Sequence, residues 1–125
     1  MAIVERQIVV AVEDDHRVRE SMESLMESAG YAPVTFSSGE EFLRSGSLAA
    51  ATCVIIDVWM PGMDGIEVQR RIRLERPNLP VIFISGRYSA ETRQRALKEG
   101  AVDFLYKPFD AASLLELIRA ALTSA

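Results

Sequence analysis

The residues of this sequence best suited to chemistry stand at the ends of its apolar runs. Ile8 to Val12 gives way to Glu13, Asp14 and Asp15. Val54, Ile55 and Ile56 give way to Asp57, Val81 to Ile84 is followed by Ser85, and Asp103 to Tyr106 is followed by Lys107 and Pro108. If these runs are parallel strands, their carboxyl ends share one rim of a sheet, where loops and helix amino termini converge and ligands collect. Carboxylates that close repel one another unless a cation lies between them, and an all-oxygen set with room for water suits Mg²⁺. The acidic run has a second reading, in which Glu13, Asp14 and Asp15 cap the following helix and favour its dipole. Asp57 ends too apolar a strand to go without a partner, and Lys107 is the only lysine besides Lys98. A plain ion pair would account for Asp57 but leaves Ser85 and the acidic run unexplained.

Positioning these groups requires strands that alternate with helices. Five runs read as strands: Gln7 to Val12, Ala32 to Phe36, Thr52 to Asp57, Val81 to Ser85 and Asp103 to Tyr106. The first, third and fourth are unbroken in their apolar character, so they predict central strands buried on both faces. Pro33 lacks a backbone donor and places the second run at an edge. Between them, Val18, Met22, Leu25, Met26 and Ala29 recur at helical spacing, and Gly30 stops that helix. A short helix is predicted after Ser38, with Phe42 and Leu43 inward, and a third from Asp64 to Glu75, ending before Pro77. Arg87 to Glu99 offers only Ala90, Ala96 and Leu97 for burial, so that helix is expected to pack loosely. Asp110 to Thr123 buries Leu114, Leu117, Ile118, Ala121 and Leu122. The fold class is α/β, a single doubly wound parallel sheet of five strands.

The chain has 125 residues, 49% hydrophobic and 26% charged, with 14 Lys and Arg against 18 Asp and Glu, a net charge of −4. These values predict one domain over residues 1–125, with no output domain beside it. No apolar run approaches the roughly 18 residues of a membrane span, and Met1 to Val12 lacks the features of a signal peptide, which leads to a cytoplasmic expectation. One cysteine, Cys53, and one histidine, His16, build neither a disulfide framework nor a structural zinc site. Cys53 reads as a small buried hydrophobe, His16 as an exposed residue at a helix start rather than a phosphate relay, and Arg87, which could reach a phosphate, as an exposed residue at a helix end. The absence of a basic run argues against direct nucleic-acid contact. The loop after the first strand is acidic, whereas a flavin site asks for Ser, Thr and Gly there and a dinucleotide site for a Gly-rich turn.

Four motifs, in order and each on its strand, carry a resemblance. They are Val12-Glu13-Asp14-Asp15, Asp57-Val58-Trp59-Met60-Pro61-Gly62-Met63-Asp64-Gly65, Ile84-Ser85-Gly86, and Gly100-Ala101-Val102-Asp103-Phe104-Leu105-Tyr106-Lys107-Pro108-Phe109. From Ile8 to Leu122 the chain resembles the receiver domain of bacterial two-component response regulators, and the last two motifs look most like the FixJ-like subgroup. The resemblance implies a (βα)5 flavodoxin-like sheet in the order 2-1-3-4-5. It implies a phosphoacceptor domain that promotes its own phosphorylation and dephosphorylation, rather than an enzyme acting on a separate substrate. By the same resemblance Asp57 accepts a phosphoryl group from a sensor histidine kinase or a small phosphodonor. Asp14 and Asp57 hold Mg²⁺, Glu13 does so through water, and the backbone carbonyl of Trp59 completes the protein ligands. Ser85 and Lys107 contact phosphoryl oxygens, and Ser85 with Phe104 forms the switch, the Phe104 ring turning inward as Ser85 moves. The Lys107-Pro108 bond is expected to be cis. Charge neutralisation and positioning, which Mg²⁺ and Lys107 would supply, are what phosphoryl transfer needs.

The resemblance also implies a changed surface on the 87–99 helix, the 103–106 strand and the 110–123 helix. That surface would control an output domain or partner, transcriptional in this subgroup, or join two copies of the chain in a phosphorylation-dependent homodimer. Two residues depart from the family pattern. Glu13 stands where an aspartate is usual, and bulky Trp59 borders the path of hydrolytic water. Two other readings compete: a receiver that binds partners without phosphorylation, and a flavodoxin-like cofactor-binding enzyme. The set Asp14, Asp57, Ser85 and Lys107 weighs against the first, and the acidic loop against the second.

Overall fold

Runs rich in Val and Ile lie flat in a sheet because branched side chains pack well on its pleated faces, and here they form five parallel strands. The computed structural model describes residues 6–123; the expected domain of residues 1–125 and the leader reading from Met1 begin or end outside the described residues. In chain order the elements are β1 (Ile8–Val12), α1 (His16–Ser28), β2 (Ala32–Phe36), α2 (Gly39–Ser45), a 3-10 turn (Ser47–Ala49), β3 (Cys53–Asp57), α3 (Gly65–Glu75), β4 (Val81–Ser85), α4 (Ala90–Lys98), β5 (Asp103–Tyr106) and α5 (Ala111–Thr123). The sheet runs β2-β1-β3-β4-β5, all parallel. This is the order the resemblance implies, with the proline-bearing β2 at an edge.

Alternation along each strand divides the core. Val10, Val12, Val54, Ile56, Val81 and Phe83 pack in one cluster with Phe42 of α2, Val68 and Ile72 of α3, and Ala96 of α4. Val9, Ala11, Ile55, Ile82 and Ile84 pack in the other with Met22 and Met26 of α1 and Leu114 and Ile118 of α5. Each central strand is therefore buried on both faces, which is why its sequence is apolar throughout rather than alternating.

Side-chain caps set the helix starts. Asp15, Ser38, Asp64 and Ser89 accept from the first backbone N–H groups of α1, α2, α3 and α4. The Ser89 cap starts α4 at Ala90, later than the sequence suggests, and leaves Arg87 and Tyr88 in the preceding loop. Ala90, expected inward, is exposed because it opens the helix at its solvent end; Thr92 and Ala96 are the buried residues of α4. With so little to bury, α4 is the helix least anchored by apolar packing. Two glycines close the β3–α3 connection around the site. Gly62 has φ +76°, and a Cβ on Gly65 would lie 2.6 Å from the Asp57 carbonyl oxygen, so only glycine allows α3 to start this close to β3.

Candidate functional site

The carboxyl ends of β1, β3 and β5 bring Glu13, Asp14, Asp57 and Lys107 together. One carboxylate oxygen from each of the three acids can be chosen so that all lie within 4.8 Å of one another. Lys107 Nζ donates to Asp57 Oδ2 at 3.1 Å and lies 2.8 Å from Glu13 Oε2. The first is a hydrogen bond; the second is a charge contact, since Glu13 Oε2 is buried without a hydrogen-bond partner of good geometry. The other oxygens are held by the chain itself. Asp15 N–H donates to Glu13 Oε1 at 3.0 Å, and Trp59 N–H donates to Asp57 Oδ1 at 3.1 Å.

The two readings of the acidic run divide between its residues. Asp15 is the helix cap, accepting from the N–H groups of Arg17 and Val18, and these bonds hold its carboxyl below the ordinary aspartate value. Glu13 and Asp14 belong to the rim cluster. Glu13 is fully buried, and burial, aided by the charge of Asp57, pushes its pKa from 4.5 to about 7 against the opposing pull of Lys107 and the Asp15 N–H. Burial alone would lower the Lys107 pKa, yet the carboxylates of Glu13 and Asp57 outweigh it and raise the ammonium above its ordinary value. The Lys107-Pro108 bond is cis.

Of the two expected switch residues, Ser85 is held by a neighbouring loop and Phe104 stands differently from the expectation. The Ser85 hydroxyl is engaged by the next loop, donating to the Arg87 carbonyl at 2.9 Å and accepting from the Arg87 N–H at 3.1 Å, with no hydrogen bond to Asp57. Phe104 already packs inward, beside Phe83 at 6.3 Å and Tyr106 at 5.0 Å between ring centroids. The expected inward turn of that ring is therefore not a step left to make. Its all-carbon ring has apolar neighbours and no polar atom to keep it at the surface. Tyr106 in turn stacks on the exposed Tyr88 at 5.2 Å.

The structure adds one residue that sequence reasoning missed, Arg19, and gives Arg87 a partner. Arg19 donates to the Glu13 carbonyl at 2.9 Å and braces the acidic loop from α1. Arg87, read from sequence as an exposed helix end, lies in the β4–α4 loop with its guanidinium 5.2 Å from the centre of the Trp59 ring. No local pattern signals either contact, since both join side chains to groups on other elements. His16 is exposed at the start of α1, with Nε2 3.0 Å from Glu20. Cys53 is buried, which pushes its thiol up to about 12 and leaves it protonated. Beside the rim, an open apolar groove of about 710 Å³ runs between α1 and the turn before α5, lined by Val18, Met22, Leu25, Pro108 and Phe109, with Lys107 at its edge. Among the described residues no helix is long and apolar enough to cross a membrane.

A doubly wound sheet with an acidic pocket at its carboxyl rim and a lysine just past its last strand defines the class: a flavodoxin-like α/β domain. Residues 9–119 match the family described as response regulator receiver domain. The chain is 42% identical to the response regulator protein TodT of Pseudomonas putida over 115 residues, 92% of this chain and 51% of that protein. It is 34% identical to the transcriptional regulatory protein FixJ of Bradyrhizobium diazoefficiens over 94% of this chain and 57% of that one. A solved response regulator receiver domain protein from Clostridium thermocellum superposes with a TM-score of 0.89 at 28% identity, covering 94% of this chain and 95% of its own. The chain belongs to the response regulator receiver domain family, and FixJ-like regulators are among its relatives. It spans about half the length of the curated relatives it matches.

Proposed function

We propose that this domain is a cytoplasmic signalling switch whose Asp57 accepts a phosphoryl group from the phosphohistidine of a sensor histidine kinase. The observation that carries the reading is the cluster itself: three carboxylates drawn together, two of them paired with one ammonium, with Asp57 hydrogen-bonded to Lys107 on one oxygen and to a backbone N–H on the other. In the proposed step an Asp57 carboxylate oxygen attacks phosphorus, the phosphorus–nitrogen bond of the donor breaks, and the imidazole leaves with its electron pair and takes up a proton. Lys107 stays within reach of the developing charge, and the Trp59 N–H keeps the carboxylate oriented. The groove beside Lys107 offers an apolar seat for a helix of the kinase, next to the reacting carboxylate.

The donor set fits Mg²⁺. It is all oxygen, carries several negative charges at short range, and leaves buried Glu13 Oε2 without a hydrogen bond that a cation would replace. Asp14 and Asp57 would hold the ion directly, Glu13 through water, and the Trp59 carbonyl would complete the set. When bound, Mg²⁺ supplies positive charge against the phosphoryl oxygens.

For output, the Ser85 hydroxyl would leave the Arg87 backbone for a phosphoryl oxygen. That exchange frees the β4–α4 loop, and the stack of Tyr88, Tyr106 and Phe104 repacks with it, altering the surface of α4, β5 and α5. This surface would govern an output domain or partner, transcriptional as the name of FixJ states for that protein, or pair with a second copy. Incubation with acetyl phosphate and Mg²⁺ should add one phosphoryl mass, and Asp57→Asn should remove it. Equal labelling of the Asn variant would reject Asp57 as the acceptor. Sedimentation with beryllofluoride and Mg²⁺, repeated for Ser85→Ala and Phe104→Ala, tests the output step; a response carried in full by Ser85→Ala would reject it.

A further inference from the structure

We infer that Arg87 is a second phosphoryl-binding cation, held in reserve on the Trp59 ring until Asp57 is modified. The inference rests on the reading of Asp57 as acceptor and adds a residue to that site. An aspartyl phosphate carries about two negative charges where the carboxylate carried one. The lysine at the site is already shared, 3.1 Å from Asp57 and 2.8 Å from Glu13, so modification adds about one charge that Lys107 alone does not balance.

Arg87 is placed to balance it. Among the described residues no carboxylate pairs with its guanidinium, whose recorded partner is the face of Trp59 at 5.2 Å. One anchor of this arrangement bonds the acceptor itself, and the other bonds Ser85, the hydroxyl proposed to turn to the phosphoryl group. The Trp59 N–H donates to Asp57 Oδ1, and the Arg87 backbone is bonded through its carbonyl and its N–H to the Ser85 hydroxyl. One event therefore reaches both ends. When Ser85 turns to the phosphoryl group it lets go of the Arg87 backbone, and the guanidinium exchanges a ring face, a weak attraction at an exposed site, for charge-assisted hydrogen bonds to phosphoryl oxygens. Trp59, at 41% exposure, is thus a resting place for the cation as well as a neighbour of the acceptor.

The test uses beryllofluoride with saturating Mg²⁺ as the phosphoryl mimic, on the full chain and on Arg87→Ala and Arg87→Lys. Arg87→Ala should bind the mimic about tenfold more weakly, with Arg87→Lys between it and the parent, while Mg²⁺ binding in the absence of mimic is not weakened. Trp59 emission supplies a readout that general loosening of the loop would not reproduce. Parent and Arg87→Ala spectra should differ with Mg²⁺ alone and coincide once the mimic is bound, because the guanidinium has then left the ring in the parent too. A spectral difference that persists unchanged in the mimic-bound state, an unaltered affinity in Arg87→Ala, or an Arg87→Lys affinity no better than that of Arg87→Ala would each overturn the inference. If the parent itself shows no binding of the mimic that depends on Asp57, the acceptor reading has failed instead.

Discussion

Glu13→Gln should stabilise the metal-free protein near neutral pH, and the size of the effect follows from burial. Glu13 is fully buried, and its pKa rises from 4.5 to about 7 chiefly through loss of water, despite Lys107 at 2.8 Å. Between those two values the folded chain keeps a proton that the unfolded chain has released, so stability must fall as pH rises across the window. At about 1.4 kcal/mol for each tenfold change in proton affinity, the full fall is about 3 kcal/mol, a large share of the roughly 5 to 15 kcal/mol that holds a domain folded. Glutamine matches the protonated side chain in size and can still accept the Asp15 N–H, yet it has no charge to desolvate. Urea unfolding without metal should therefore find the two proteins nearly equal at about pH 5 and the variant ahead by about 3 kcal/mol at about pH 8. Asp15 and Asp110 do not confuse this window. Both are held below the ordinary carboxylate value by backbone N–H groups, so the stability they add is lost only as pH falls below about 4. Saturating Mg²⁺ should recover more stability in the parent than in the variant, since it favours the ionised carboxylate. Superimposable pH profiles for parent and Glu13→Gln would refute the burial argument.

Gly65→Ala sets a Cβ 2.6 Å from the Asp57 carbonyl and 2.9 Å from the Val58 Cα, backbone that cannot yield without moving the acceptor. We expect a loss of about 1 to 3 kcal/mol in urea unfolding together with weaker Mg²⁺ binding, and a parental midpoint would contradict the close approach. Met26→Ala removes a fully buried side chain between the sheet and α1 and should cost about 2 to 5 kcal/mol, whereas Leu74→Ala, 85% exposed, should stay within about 0.5 kcal/mol; comparable losses would misplace the core. Ser89→Ala deletes the acceptor for the Thr92 N–H at 3.2 Å, and the expected loss of about 1 kcal/mol should appear as faster amide exchange confined to α4. Unchanged exchange in that helix would count against the cap.

The apolar runs Val54 to Ile56 and Val81 to Ile84 announce central strands because a parallel sheet is covered on both faces, and Pro33 marks an edge because it cannot complete a ladder. Strand ends then place Glu13, Asp14, Asp57 and Lys107 on one rim, since parallel strands deliver all their carboxyl ends to the same side. These are properties of period and order, and the linear chain carries them. What each side chain does at the rim is not of that kind. Glu13 and Asp15 are two residues apart and alike in charge, yet one turns to Lys107 from the opposite edge of the site and the other caps α1. Ser85 bonds to the Arg87 backbone rather than to Asp57, Phe104 already lies inward, and Arg87 stands over a ring 28 positions earlier in the chain. Each of these outcomes depends on which groups from separate loops arrive within a few ångströms, and on burial that changes the free energy of a charge. Neither exists until the sheet has closed around them.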